Sequence, residues 1–211
     1  MQHVTDRVRN PFGMAPPCEA AVPGYGDVNA DFHVVGDRPG VHGGVDTGIP
    51  FTGTAAAERL QEVLAETGLL ESTGTEPTVG PTFLSYLHMC VTDGDETPPA
   101  STYADLERFF DAEVRAIAAH VLLPVGARAT DHVLRTYTAK AWKTEVDMDA
   151  LHGEELVGSG WLVLPIKEPA AWTAADEERL QTALTELQAT DFRRESDLGR
   201  FLPGEDPYLV R

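Results

Sequence analysis

An acid at the end of a buried strand, between two glycines, is the first feature of this sequence that could do chemistry. Ala30-Asp31-Phe32-His33-Val34-Val35-Gly36-Asp37-Arg38-Pro39-Gly40 reads as a short apolar, β-branched run stopped by Gly and Pro. That pattern predicts a strand covered on both faces, with Asp37 at its carboxyl end. In open α/β sheets ligands collect beyond that end, which makes Asp37 a candidate catalytic acid. Asp is also a common turn residue, so a plain turn cap is the competing reading. Lys167-Glu168-Pro169-Ala170, following the apolar residues 161–166, repeats the polar strand end. Phe51, inside Gly48-Ile49-Pro50-Phe51-Thr52-Gly53, is either a tucked core ring or a stacking platform for a flat ligand.

The remaining reactive residue types point to no metal. Cys18 and Cys90 are the only two cysteines, far apart in a chain expected to be cytoplasmic, so a structural disulfide is not expected. No Cys pair stands at ligand spacing, and the seven His residues form no ligand pattern. Gly24-Tyr25-Gly26 precedes the strand instead of following it, which excludes a dinucleotide-binding loop.

The elements that must position Asp37 alternate. Residues 1–29, rich in Pro and Gly, form an extended lead-in. After the central strand, Thr54 caps a helix whose apolar face is Leu60, Val63 and Leu64 and which Gly68 ends. A strand over residues 82–91 follows, then a helix capped by Ser101 or Thr102 that buries Leu106, Phe109, Phe110, Val114 and Ile117. Residues 120–125 give a third strand and 127–137 a short helix. Residues 138–160, which include Leu151-His152-Gly153, form a less regular stretch expected at one edge of the domain. A fourth strand over 161–166 leads to a helix over 174–189 with Leu180, Ala183, Leu184 and Leu187 on one face. The tail from residue 191 is expected to pack loosely. Strands alternating with helices predict one α/β domain, residues 30–190, with a mostly parallel sheet covered on both faces.

With 16 Lys and Arg against 34 Asp and Glu, the chain of 211 residues carries a formal charge of -18, spread along its length. This acidic surface predicts a halophilic protein, because molar salt screens self-repulsion over about 3 Å. No basic groove is visible. No apolar run is long enough to span a bilayer and the first residues lack a signal peptide's apolar centre, so a soluble, cytoplasmic chain is expected.

Taken in order, Val34-Val35-Gly36-Asp37-Arg38-Pro39-Gly40, Gly48-Ile49-Pro50-Phe51-Thr52-Gly53, Cys90, Pro124-Val125-Gly126-Ala127-Arg128-Ala129, Leu151-His152-Gly153 and Pro165-Ile166-Lys167-Glu168-Pro169 resemble the uracil-DNA glycosylase superfamily. The resemblance, over roughly residues 18–172, is to a divergent, haloarchaeal relative of the iron-sulfur, thermophile-type branch. It implies an α/β/α sandwich that hydrolyses the N-glycosidic bond of a damaged or deaminated base. Asp37 would orient water, Phe51 would stack on the flipped base, and Gly36 and Pro39 would line its pocket. Glu168 stands where the family carries a base-activating His, and Tyr86 near its base-reading Asn. An ionised Glu168 would repel a base oxygen that is becoming negative. Trp172 is either the wedge that fills the gap in DNA or a staple at the start of the last helix. The four-iron four-sulfur cluster of that branch is not expected, since Ala21 and Leu106 stand where two of its four thiolates belong. DNA is the implied partner, with no membrane, and the chain is expected to be monomeric. The alternative is a non-catalytic module that binds a nucleobase, DNA or a protein.

Overall fold

The alternation of apolar side chains along each strand determines how the layers assemble. On the strand Phe32–Gly36 (β2), Phe32 and Val34 join one core while Val35 joins the other. Leu123 and Leu122 divide in the same way on Val121–Pro124 (β4), and Leu162 and Val163 on Trp161–Val163 (β6). A side chain every second residue thus feeds each face, and both faces need a helical cover. The computed structural model describes residues 7–92, 97–138 and 144–201. The first six residues of the lead-in, residues 93–96, residues 139–143 and the tail from 202 lie outside it.

Six strands form one sheet in the order β1-β3-β2-β4-β6-β5. Thr82–Tyr86 (β3), β2, β4 and β6 run parallel, and the short edge strands Tyr25–Gly26 (β1) and Leu156–Gly158 (β5) run antiparallel. In sequence order the intervening helices are Pro39–His42 (α1), Ala55–Glu66 (α2), Ala100–Ile117 (α3), Gly126–Tyr137 (α4), Met148–Leu151 (α5), Ala174–Gln188 (α6) and Phe192–Phe201 (α7). Residues of α2, α6 and α7 fill one core and residues of α3 and α4 the other, giving the expected α/β/α sandwich. Thr54 caps α2 as predicted, accepting from Ala57 N–H. From β2 the chain crosses to β3 on one side and then over to β4 on the other. That reversal opens a crevice at the carboxyl ends of β2 and β4.

Several expectations need correction. The third strand in sequence, β3, stops at Tyr86, because Leu87 and His88 turn to donate their N–H groups to Gly36 O and Asp37 O. The lead-in runs antiparallel beside this segment through Val22 N–Met89 O and Val91 N–Ala20 O. It brings Cys18 within 6.0 Å (Cα to Cα) of Cys90, and the two sulfurs are bonded. Sequence separation concealed a neighbour that the lead-in supplies. The described start of the tail is not loosely packed: Phe192 is buried against Phe32, and Ser196 Oγ donates to Gly160 O, while residues 202–211 lie outside the described residues. Its apolar positions are too few for periodicity to reveal. His152, expected at an edge, is buried, with Nδ1 accepting from Lys167 N–H and Nε2 donating to Asp176 O. The edge strand of that stretch is β5, which begins four residues on at Leu156.

On α3 the buried face holds Glu113 in place of Phe109. Glu113 Oε1 accepts from Gly24 N–H, and burial pushes its carboxyl from an ordinary 4.5 up to about 8. The folded chain therefore keeps a proton that the unfolded chain gives up, so this group's contribution to stability declines as pH rises from about 4.5 and is lost above about 8. Glu113→Gln should remove that decline, measured as the difference in Tm between variant and parent across this range. Reducing the disulfide, which closes a 72-residue separation, should cost about 4 kcal/mol in the chain-entropy account, read from the urea midpoint with and without reductant.

Candidate active site

The crevice is built from four strand ends and the turn of α1. Asp37 lies directly after β2, buried, and its carboxylate is gripped from three directions. Arg38 Nη1 donates to Oδ2 at 2.9 Å, Arg128 Nε lies 3.5 Å from the same oxygen, and the Tyr103 hydroxyl donates to Oδ1. Arg128 comes from the first turn of α4 and Tyr103 from the first turn of α3, and the guanidinium of Arg128 lies 4.7 Å over the Tyr103 ring. Burial, then the carboxylate beside it, push the Tyr103 hydroxyl up to about 12, so it remains a donor. A carboxylate offers about four acceptor positions and two are taken by the Arg38 and Tyr103 hydrogen bonds, which leaves room for a water or a sugar hydroxyl. Arg128 is half exposed and marks the mouth. Behind Tyr103, a separate cavity of 210 Å³ lies between α3 and α4, lined by Leu87, Phe110, His132 and Thr136 among others.

The turn itself is held by the segment after β3. His88 N–H donates to Asp37 O, and His88 Nδ1 lies 3.1 Å from Cys90 O, so the disulfide braces the loop that fixes the acid. Burial lowers the His88 pKa, which keeps the ring neutral and Nδ1 the donor to that carbonyl.

On the other side of the Asp37 backbone stands His42, the last residue of α1. Asp37 N–H donates to His42 Nδ1 at 3.0 Å, and since a backbone N–H can only donate, the ring proton sits on Nε2. Nε2–H in turn donates to Glu168 Oε2 at 3.0 Å. Glu168 reaches in from beyond β6 and is about one third exposed; among the described residues its second oxygen has no hydrogen-bond partner. Gly126 makes room for it, as a Cβ there would stand 3.1 Å from Oε2.

Asp37, Gly36, Pro39, Phe51, Tyr86 and Glu168 are thus brought together. Phe51 is in the core, 1% exposed, its ring centroid 5.2 Å from that of Tyr86 and 5.4 Å from that of His42. Its φ of +57° is unusual for a bulky residue and is held at both backbone groups, N–H by the Tyr86 hydroxyl and C=O by Gln61 Nε2. The Tyr86 hydroxyl accepts from Phe51 N–H and donates to Gly43 O, so it is spent on backbone; burial raises its pKa well above the usual range. Pro39 opens α1 and is buried. Trp172 is apart from this group and packs as a staple. It is buried, with its indole N–H donating to Lys167 O and its ring against His152 and Arg59. Among the described residues the exposed large apolar side chains are Val8, Val45 and Val157, none of them in this loop.

Sequence reasoning did not find His42, Arg38, Tyr103 or Arg128. Arg38 and Arg128 stood inside quoted strand-end motifs, and His42 was only five residues from Asp37, so local spacing carried a signal. Tyr103 had none, since its meeting with Asp37 depends on how α3 crosses. Cys18 and Cys90, bonded to each other, do not supply the four thiolates of an iron-sulfur cluster. Among the described residues no group of three or more His, Cys, Asp and Glu is placed to hold a metal ion, and no helix is long and apolar enough to cross a membrane. Tyr86→Phe should lower stability by about 1–3 kcal/mol in chemical denaturation, because two buried backbone groups lose their partner.

The sequence matches the uracil DNA glycosylase superfamily profile over residues 23–188. A stretch of 48 residues is 48% identical to the type-5 uracil-DNA glycosylase of Thermus thermophilus, a match covering 23% of this chain and 22% of that protein. The profile match takes in the sheet, the acidic turn and both polar strand ends, and by it the chain belongs to the uracil DNA glycosylase superfamily.

Proposed function

We propose that this protein removes a damaged or deaminated base from DNA by hydrolysing its N-glycosidic bond. The observation that carries the reading is the Asp37 carboxylate, held in the crevice where β2 and β4 end by Arg38, Arg128 and Tyr103. As the C1′–N bond breaks, its electron pair leaves with the base and positive charge grows on the deoxyribose. A fixed carboxylate next to that carbon stabilises the charge and orients the water that adds to C1′. The water's proton passes to the departing base or to solvent. With two acceptor positions hydrogen-bonded and a second guanidinium beside it, Asp37 acts through its charge and its remaining positions more than as a strong base.

Arg38 and Arg128 also bring local positive charge to a chain of formal charge -18, and molar salt would screen the rest from a DNA strand. A second reading, binding without turnover, is favoured by Glu168, whose carboxylate accepts where a base-activating donor would be wanted. Base release from oligonucleotides carrying uracil, hypoxanthine, xanthine or a mismatched thymine, in molar potassium chloride, separates the two. Release should occur and fall at least about a hundredfold in Asp37→Asn. Undiminished release in that variant removes Asp37 from the mechanism; no release from any substrate by folded protein leaves the binding reading.

A further inference from the structure

Resting on the base-release reading, we propose that the His42 imidazole fills the slot a flipped base must enter, and that its two hydrogen bonds define the edge such a base presents. That edge is an acceptor toward the Asp37 N–H next to an N–H donor toward the Glu168 carboxylate.

The imidazole is 2% exposed and held as a bound heterocycle would be. Its ring centroid lies 5.4 Å from that of Phe51 and 6.2 Å from that of Tyr86, stacked on the latter at 24°. The backbone closes over it at Gly36, where a Cβ would come within 2.8 Å of Nδ1 and 2.7 Å of both aromatic rings. Only glycine permits that approach, and the clearance is occupied by rings, not by solvent. At the far end stands Glu168, whose partial exposure and second oxygen, unbonded among the described residues, leave room beyond a five-membered ring. The His42 ring, tilted by 35°, therefore already packs against Phe51, and a base can take that place only after His42 leaves.

The ring nitrogens give the pattern. Nδ1 accepts from Asp37 N–H and Nε2–H donates to Glu168 Oε2. A lactam edge, a carbonyl oxygen adjoining a ring N–H, repeats acceptor and donor in that sequence. It also removes the electrostatic objection to Glu168: the carboxylate accepts from the base N–H, while charge developing on the carbonyl oxygen faces the backbone N–H of Asp37. A base methylated at that ring nitrogen would leave Glu168 unpaired and bring a methyl group against it.

The test uses the full chain with no DNA. His42→Gly should bind free uracil at least about tenfold more tightly than the parent, and bind imidazole as well, by calorimetry. N3-methyluracil should bind that variant at least about tenfold more weakly than uracil. His42→Asn, which keeps a short acceptor for Asp37 N–H, serves if the glycine variant does not fold. In the parent, uracil at saturation should move the nitrogen resonances of the His42 ring. Equal affinity of parent and folded variant, equal binding of uracil and N3-methyluracil, or uracil that binds without disturbing His42 would each overturn the proposal, as would no binding by any form. A variant that binds uracil while the parent releases no base from DNA refutes the glycosylase reading and leaves this one standing.

Discussion

Two adjacent peptide groups, at Gly36 and Asp37, are bonded from opposite sides, and the rest of the site depends on that restraint. The segment after β3 donates Leu87 N–H and His88 N–H to the two carbonyls, while Asp37 N–H is fixed on His42. A turn held this way can present its acid at one place despite the pull of two guanidinium groups. Since His42 also contacts Glu168, the ends of β2 and β6 are joined through one imidazole. Buried polar links of this kind are costly when half made, so the loss of any one partner strands the others.

The charge distribution follows from the same geometry. Acidic residues outnumber basic ones along the chain, but at the crevice a buried carboxylate has gathered Arg38 and Arg128, one nearly enclosed and one half open. Each ion compensates the other's desolvation, which makes the group expensive to dismantle without making it a large source of stability. The arrangement holds the Asp37 carboxylate largely out of solvent, the condition under which a fixed charge acts most strongly on its surroundings.

The lead-in contributes more than wrapping. It provides an edge strand beside β3, a backbone N–H for the buried Glu113, and through Cys18 a covalent tie to the loop that carries His88. A cross-link between Cys18 and Cys90 spans the segment that bonds Asp37 O, so chain ordering far from the crevice restrains the acid within it.

The strand and helix rhythm, the two-sided sheet, the cap at Thr54 and the placing of Asp37 beyond β2 were legible in the sequence, because each depends on local pattern: apolar period, turn residues and caps. The meeting of Gly36, Phe51, Tyr86 and Glu168 could be anticipated only through the order of the quoted motifs. Tertiary structure alone decided which of those side chains keep a free polar atom. Tyr86 and Phe51 are consumed by each other's backbone and ring, Trp172 by Lys167 O, and Cys18 by Cys90. Whether a polar group is free depends on partners that approach from distant segments, and His42, Tyr103 and Arg128 reach the acid only when α1, α3 and α4 are packed on the sheet. Sequence sets the period with which a chain buries its apolar side chains; the pairing of its polar atoms is settled by the packing that follows.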